Sequence, residues 1–224
     1  MSVTAKSLVI MFVKEPKLGF VKTRLAKNCG DKFVLALYES FVKDLVAMLS
    51  NSEFDFKLCA YPRIEVINQK FGDFNNFLQE EGDLGLKMKS AFEQQFACGY
   101  EKIVLIGSDT PHISSEIIQT SFDSLESNDI VLGPSLDGGY YLIAFTKNSF
   151  CDEVFKDISW STSAVMEQTL QKLHEKQVYS LHELNDIDVL DDLKAFYKSY
   201  KNSNFKDSNT IEFLKESQSW KSLM

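Results

Sequence analysis

An α/β fold with a mostly parallel central sheet and helices on both of its faces is predicted by three observations. Short apolar runs alternate with segments of helical period along the chain. Runs such as Ile103-Val104-Leu105-Ile106 are unbroken, which suits central strands covered on both sides. Two of these runs end in glycine-bearing loops that each carry an aspartate, Gly107-Ser108-Asp109-Thr110-Pro111 and Gly133-Pro134-Ser135-Leu136-Asp137-Gly138-Gly139. Ligands of open α/β sheets lie beyond the carboxyl ends of the strands, so both aspartates are expected to face one cleft.

Taken in order, Leu8 to Val13 is the expected first strand. It is far too short to span a membrane, and no small-residue cleavage pattern follows it. A polar loop comes next, and Val34, Leu37, Tyr38, Phe41, Val42, Leu45, Met48 and Leu49 then paint one helical face. Strands are expected at Phe54 to Tyr61, Lys102 to Ile106, Ile130 to Leu132 and Tyr140 to Phe145. Helices are expected at Leu84 to Phe96, Ser114 to Leu125 with Ser114 as cap, Thr162 to His174, and Val189 to Tyr200. Lys201 to Asn209, rich in Asn, Ser and Lys, reads as the one linker-like segment. Beyond it Ile211, Phe213, Leu214, Trp220 and Leu223 predict a short terminal helix that needs a surface to pack on.

With 224 residues and 44% hydrophobic content the chain can bury a full core as one globular unit. The expected division is a main domain over residues 1–200, then a linker and C-terminal helix over 201–224 that packs on the domain or on a second copy, giving a homodimer. A formal charge of −8 argues against a general nucleic-acid binder, and neither nucleic acid nor a membrane is expected as a partner. Cys29, Cys59, Cys98 and Cys151 are widely spaced and form no C-x-x-C pair, which predicts reduced thiols in a cytoplasmic protein.

The loop after the first strand concentrates Lys14, Lys17, Lys22, Arg24 and Lys27 in an otherwise acidic protein. A solvated basic loop is the ordinary reading of such a cluster. Against it, Pro16 and Gly19 shape a turn, and Arg24 is one of two arginines, the other being Arg63. A guanidinium grips phosphate with a planar fork that lysine lacks, so the loop is read as a phosphate cradle. No G-x-x-x-x-G-K-[ST], G-x-G-x-x-G or G-x-S-x-G occurs, which disfavours a P-loop ATPase, a dinucleotide-binding Rossmann enzyme and a nucleophile-elbow hydrolase.

Asp109, Asp137, Asp186 and Asp188 are the candidate metal carboxylates, because hard divalent cations take oxygen ligands, with one or two carboxylates supplemented by substrate phosphates. Each has a structural alternative. Asp137 can cap a turn before Gly138-Gly139, and Asp188 can be the N-cap of the helix that follows, with Asp191 in its first turn.

Four blocks together resemble the DUF2064 family of GT-A-like proteins, which includes arsenosugar-type glycosyltransferases. They are Lys14 to Ala26, Gln79 to Met88, Gly107 to Pro111 and Gly133 to Ile143. Two weaker blocks follow at Ile158 to Thr162 and Asp186 to Leu193. Lys87 stands where the family pattern has arginine, and the terminal helix lies outside the match. The resemblance implies a branch of the nucleotide-diphospho-sugar transferase superfamily, a three-layer α/β/α sandwich of Rossmann-like GT-A type, and Mg²⁺ or Mn²⁺ as cofactor. It implies catalytic roles for Asp109, Lys22, Arg24 and Asp137. It implies nucleotide or phosphate contacts from Lys14, Gly19, Lys22, Thr23, Arg24, Asp83, Lys87, Ser108, Gly138 and Gly139. The implied metal carboxylates are Asp109 and Asp188, with Asp186 an alternative to Asp188. The expected activity is transfer of a sugar from a nucleotide-diphospho-sugar to a small-molecule acceptor. The alternative is a guanylyl- or cytidylyltransferase-like enzyme that releases pyrophosphate from a nucleoside triphosphate. A non-catalytic nucleotide sensor would keep the fold but not the metal, and the presence of Asp109, Asp137 and Asp188 speaks against it.

Overall fold

The computed structural model describes residues 6–224. The elements run β1 (Ser7–Lys14), α1 (Thr23–Cys29), α2 (Asp31–Ser50), β2 (Asp55–Tyr61), α3 (Ile64–Phe71), β3 (Phe77–Leu78), α4 (Leu84–Ala97), β4 (Lys102–Ile106) and α5 (Ser115–Ser124). They continue with β5 (Ile130–Pro134), β6 (Tyr140–Thr146), α6 (Val165–Lys172), β7 (Val178–Ser180), α7 (Leu190–Tyr200), α8 (Asn209–Glu216) and α9 (Gln218–Leu223). One seven-stranded sheet has the order β3-β2-β1-β4-β6-β5-β7. β6 alone is antiparallel to its neighbours β4 and β5, and every other pairing is parallel. Because β6 reverses twice, β1, β4, β5 and β7 all point the same way and deliver their following loops to one edge.

The side-chain period of two divides each central strand between two cores. Val9, Met11, Val104, Ile106, Val131 and Ala144 face α2, α3 and α5 on one side. Leu8, Ile10, Ile103, Leu105, Leu132 and Phe145 face α4 and the segment around Phe155 on the other. That is the expected three-layer sandwich, and the unbroken apolar runs arise because both strand faces are covered.

Several boundaries differ from expectation. The basic loop is shorter, since Thr23–Cys29 forms α1 around the buried Leu25. The segment expected as a helix from Thr162 to His174 is helical over Val165–Lys172 only, because Thr162 to Ala164 are held by turns, with the Thr162 hydroxyl donating to the Ser159 carbonyl. Ser114 occupies the N-cap of α5, but its hydroxyl makes no capping hydrogen bond to the helix backbone. α3, β3 and β7 are additions with short or weak patterns; β3 has two residues and β7 three.

The C-terminal segment is two helices rather than one, broken at Ser217, which caps α9 by accepting from the Trp220 N–H. Ile211, Leu214 and Trp220 join Leu25, Phe33, Val34, Leu37, Phe41, Ile187, Leu193 and Phe196 in a third apolar cluster. α8 and α9 therefore pack on α1, α2 and α7 of their own chain. The N-terminus of α8 is held by Asp44 of α2, whose carboxylate accepts from Asn209 N–H at 2.7 Å and Thr210 N–H at 2.9 Å. No helix among the described residues is long and apolar enough to cross a membrane.

Candidate functional site

The loops after β1, β4 and β5 and the chain after β7 meet at the carboxyl edge of the sheet. Lys22 lies at the N-cap of α1 with φ 48° and ψ 43°, a left-handed conformation that costs a non-glycine residue about 1 kcal/mol. Its ammonium is 2.7 Å from Asp109 Oδ1 and 2.8 Å from Asp188 Oδ1, and the side chain is 4% exposed. Arg24, one residue into α1, reaches the other oxygen of Asp188, with Nη1 3.2 Å from Oδ2. The structure thus brings together Lys22, Arg24, Asp109 and Asp188, residues up to 166 apart in sequence.

Two backbone features fix this meeting. The Asp109 carbonyl accepts the Ile187 N–H at 3.1 Å, tying the 186–188 segment to the β4 loop. The N-cap of α7 is Val189 rather than Asp188, and Asp192 accepts the N–H groups of Asp188 and Val189 at 3.0 and 2.9 Å. Asp192, not Asp191, is the first-turn acid that ties down this helix start, which leaves the Asp188 carboxylate for Lys22 and Arg24.

Electrostatics follow from this packing. Burial alone would lower the Lys22 pKa, but Asp109 and Asp188 outweigh it and hold the ammonium above its ordinary value. Burial likewise opposes ionisation of Asp188, and Lys22, then Arg24, reverse the sign and keep the carboxyl below its usual value. At Asp186 the charge of Lys22 is the smallest influence and does not reverse the sign. Burial, then the charges of Asp137 and Asp188, push its carboxyl up to about 6. The site therefore carries more negative charge than its lysine neutralises.

The remaining predicted residues are placed around this centre in different ways. Asp137 accepts from Ser135 Oγ and from Gly139 N–H at 2.9 Å, so its carboxylate supports the turn while its charge still acts on Asp186. Gly138 has φ 88°, and a Cβ there would lie 2.3 Å from the Ser163 carbonyl oxygen, so only glycine fits. Gly139 donates the N–H of that turn. Gly19 takes φ 72° in the β1–α1 loop, and Thr23 opens α1 on the exposed side. Ser108 is buried, and its hydroxyl lies 3.0 Å from that of Tyr38. Tyr38 also accepts the Lys14 N–H at 2.9 Å, so Ser108 is part of a buried link between β4 and β1, while the Lys14 side chain is solvent-facing.

Asp83 and Lys87 stand apart from the carboxylates. Asp83 is the N-cap of α4 and accepts the Leu86 N–H at 2.8 Å. Lys87 Nζ sits 3.8 Å from the centre of the Tyr61 ring, which in turn stacks on Phe20 at 6.2 Å. Beside them Arg63, the second of the two arginines, forms a two-pronged pair with the buried carboxylate of Glu15. Tyr38, inside α2, and Tyr61 and Glu15, at strand ends, carry no sequence signal for these contacts.

Among the described residues no group of three or more His, Cys, Asp or Glu is arranged to hold a metal by itself. The pair Asp109 and Asp188 does converge on one point that already holds a cation, the Lys22 ammonium. Two hard carboxylates with excess negative charge beside them suit a divalent cation whose remaining ligands are phosphate oxygens and water.

Comparison with solved structures bears on the fold and the lineage. A candidate nucleotide-diphospho-sugar transferase from Desulfovibrio desulfuricans G20 is 35% identical, with 98% of this chain and 97% of that chain covered and a TM-score of 0.91. A cytidylyltransferase from Leptospira borgpetersenii is 13% identical over 98% of this chain and 96% of that chain, with a TM-score of 0.58. Rv0371c from Mycobacterium tuberculosis H37Rv, solved in complex with manganese, is 12% identical over 87% of this chain and 99% of that chain, at a TM-score of 0.53. The last two likenesses concern the fold alone. A comparison with curated proteins finds no match. The family profile of an uncharacterized protein conserved in bacteria matches residues 45–162, which take in the Asp109 loop and the Asp137 turn, and with the full-length likeness to the Desulfovibrio protein this shows that the chain belongs to the DUF2064 family.

Proposed function

We propose that the protein is a metal-dependent glycosyltransferase that moves a sugar from a nucleotide-diphospho-sugar to a small-molecule acceptor. The observation that carries this reading is the convergence of Asp109 and Asp188 on one cation position at the carboxyl edge of the sheet, with Lys22 and Arg24 at the start of α1 beside it. The 35% identical Desulfovibrio protein, a candidate transferase of this kind, supports the same reaction class. A buried cation point flanked by an exposed guanidinium is suited to a diphosphate, whose charge rises as the bond to the sugar breaks.

Asp109 and Asp188 would hold Mg²⁺ or Mn²⁺, which when bound neutralises phosphate oxygens of the donor. A manganese complex of a protein with the same fold is consistent with that choice of ion. Lys22 and Arg24 supply positive charge to the leaving diphosphate. Gly138 and Gly139 let the β5–β6 turn approach the substrate without side chains in the way. No protein nucleophile is required, because positioning and charge compensation carry most of the work in such transfers.

Nucleotidyl transfer is favoured by one observation, the density of cations in the first loop, since Lys14, Lys17, Lys22, Arg24 and Lys27 would serve a triphosphate better than a diphosphate. The leaving group separates the two. Incubation with sugar nucleotides, and separately with nucleoside triphosphates, over an acceptor panel with Mg²⁺ or Mn²⁺ should release a nucleoside diphosphate from the first set. Stoichiometric pyrophosphate from triphosphates, with sugar nucleotides untouched, would establish the second reaction instead.

A further inference from the structure

The oxygens best placed to bind a metal are engaged by side-chain cations of the same chain. Of the four carboxylate oxygens of Asp109 and Asp188, the Lys22 ammonium holds Oδ1 of each, at 2.7 and 2.8 Å, and Arg24 holds Oδ2 of Asp188 at 3.2 Å. Among the described residues, Asp109 Oδ2 is left as the one oxygen of the pair without a cationic partner. A single carboxylate oxygen completed by water is a weak site for Mg²⁺ or Mn²⁺. A divalent ion placed between the same two carboxylates would also lie within a few ångströms of the ammonium, where like charges repel strongly. The side chain is 4% exposed, so water screens that repulsion little. Metal and lysine are thus competitors for one position.

We propose that Lys22 is a resident counterion of the Asp109–Asp188 pair which a divalent cation must displace, so that the protein takes up metal tightly only together with a phosphate chain that receives the freed ammonium. The inference rests on the metal-dependent reading above and deepens it, because it makes metal and diphosphate binding obligatorily coupled. Lys22 is suited to the exchange. It sits at the boundary between the β1–α1 loop and α1, so its stem can swing without unwinding a helix, and an ammonium is a point charge that loses no fixed fork geometry when it changes partner. Arg24, two residues on and 65% exposed, can keep one oxygen of Asp188 during the exchange. By linkage, whatever factor the phosphate chain adds to metal affinity, the metal adds to phosphate affinity.

The test is Mn²⁺ binding, followed by calorimetry and by the loss of the free-ion paramagnetic resonance signal, with inorganic pyrophosphate as the phosphate probe. Wild-type protein should bind Mn²⁺ at least tenfold more tightly with saturating pyrophosphate than without it, after correction for Mn²⁺–pyrophosphate association in solution. Lys22→Met, which keeps most of the side-chain stem and removes the charge, should bind Mn²⁺ alone at least tenfold more tightly than wild type. The gain should vanish in the Lys22→Met, Asp109→Asn double variant. A folded Lys22→Met protein that binds Mn²⁺ no better than wild type overturns the proposal. Should that variant fail to fold, wild-type Mn²⁺ affinity that pyrophosphate leaves unchanged overturns it equally. The leaving-group assay on the wild-type protein reads the transferase assignment separately, so a Mn²⁺ gain in Lys22→Met together with no sugar or nucleotidyl transfer by wild type would sink the reaction class and leave the counterion standing.

Discussion

Two aspartates tie the first fifty residues of this chain to its C-terminal part across the same sequence distance, and they do so by opposite chemistry. Asp188 meets Lys22 through a charge pair, 166 residues away. Asp44 meets the backbone N–H of Thr210, also 166 residues away, and adds the N–H of Asn209 and its side-chain amide. The Asp44 contacts start a helix whose Ile211 and Leu214 are fully buried, so they cannot change without losing apolar burial as well. The Asp188 contacts join two cationic side chains at the edge of the sheet, where in our proposal a different cation takes the place of the lysine. One aspartate is fixed structure, and the other belongs to the proposed site.

This contrast can be broken most forcefully at Trp220, which is 1% exposed and packs edge-on against Tyr197 in the C-terminal cluster. Trp220→Ala should cost about 3–5 kcal/mol in urea unfolding. If the cluster is purely structural, transfer activity per folded molecule will be unchanged at low temperature. A comparable loss of activity in folded protein would show that the cluster and the site are one functional unit.

Asp109→Asn should do the reverse. Shape is retained and the charge facing Lys22 is lost, so turnover with the true donor should fall by roughly 100-fold or more, as for removal of one charge-stabilising group at a reacting centre. Melting temperature should move little by comparison. Metal-dependent nucleotide affinity that persists in the folded variant, measured by calorimetry, would remove Asp109 from the site.

Asp44→Ala leaves the first turn of α8 without its carboxylate and should destabilise by about 2–3 kcal/mol, the range of a helix cap strengthened by charge. Differential scanning calorimetry would report it, and a shift below a degree would mean that Ser208, which accepts the Ile211 N–H, caps the helix alone.

His112 sits on the seam between the two regions, three residues after Asp109 and against the Phe196 and Tyr200 rings of α7. Burial, then the nearby His182, lower its pKa to about 4. An unfolded histidine titrates near 6.5. The folded state thus keeps the ring neutral while the unfolded state takes up a proton, so stability is full above about pH 6.5 and declines as pH falls toward 4. Between pH 6.5 and 5 the loss should be about 1.5 kcal/mol. His112→Phe should flatten that slope, and an unchanged slope would assign the acid sensitivity elsewhere.

The smallest effect is expected at Arg24. Its side chain is 65% exposed, so Arg24→Lys trades a planar fork for a point charge in a well-solvated position. Phosphate affinity should fall only about threefold, in keeping with the modest worth of exposed charge contacts. A hundredfold loss would place Arg24 deep in the bound complex and make it a partner of Lys22 rather than its neighbour.

Much of this was legible in the chain itself, for local reasons. Ile103 to Ile106 had to be a doubly covered strand because four successive apolar residues cannot alternate between core and water. Gly107 and Pro111 had to end it, and Asp109 therefore had to emerge at the carboxyl edge. The crowding of cations after β1 and the Gly138-Gly139 turn are likewise local, and they marked the loops that surround the site. The motif blocks pointed to the same family that the DUF2064 match and the Desulfovibrio structure support.

What the tertiary structure decided are the partners, because a partner 166 residues away leaves no periodicity or spacing behind. Asp188 read as well as a helix cap as it did as a ligand, and the choice fell to Asp192, whose carboxylate took the N–H groups of Asp188 and Val189 and left Asp188 for Lys22. Asp137, named with the catalytic residues, was drawn into its own turn by Ser135 and Gly139. Ser108, named as a nucleotide contact, was buried against Tyr38. The terminal apolar residues required a surface, and only packing could say that it was α1, α2 and α7 of the same chain. Sequence fixes which residues must leave water and where a strand must stop, since those follow from neighbours along the chain. Which charge meets which is settled by where the sheet brings its loop ends, and that depends on the whole fold.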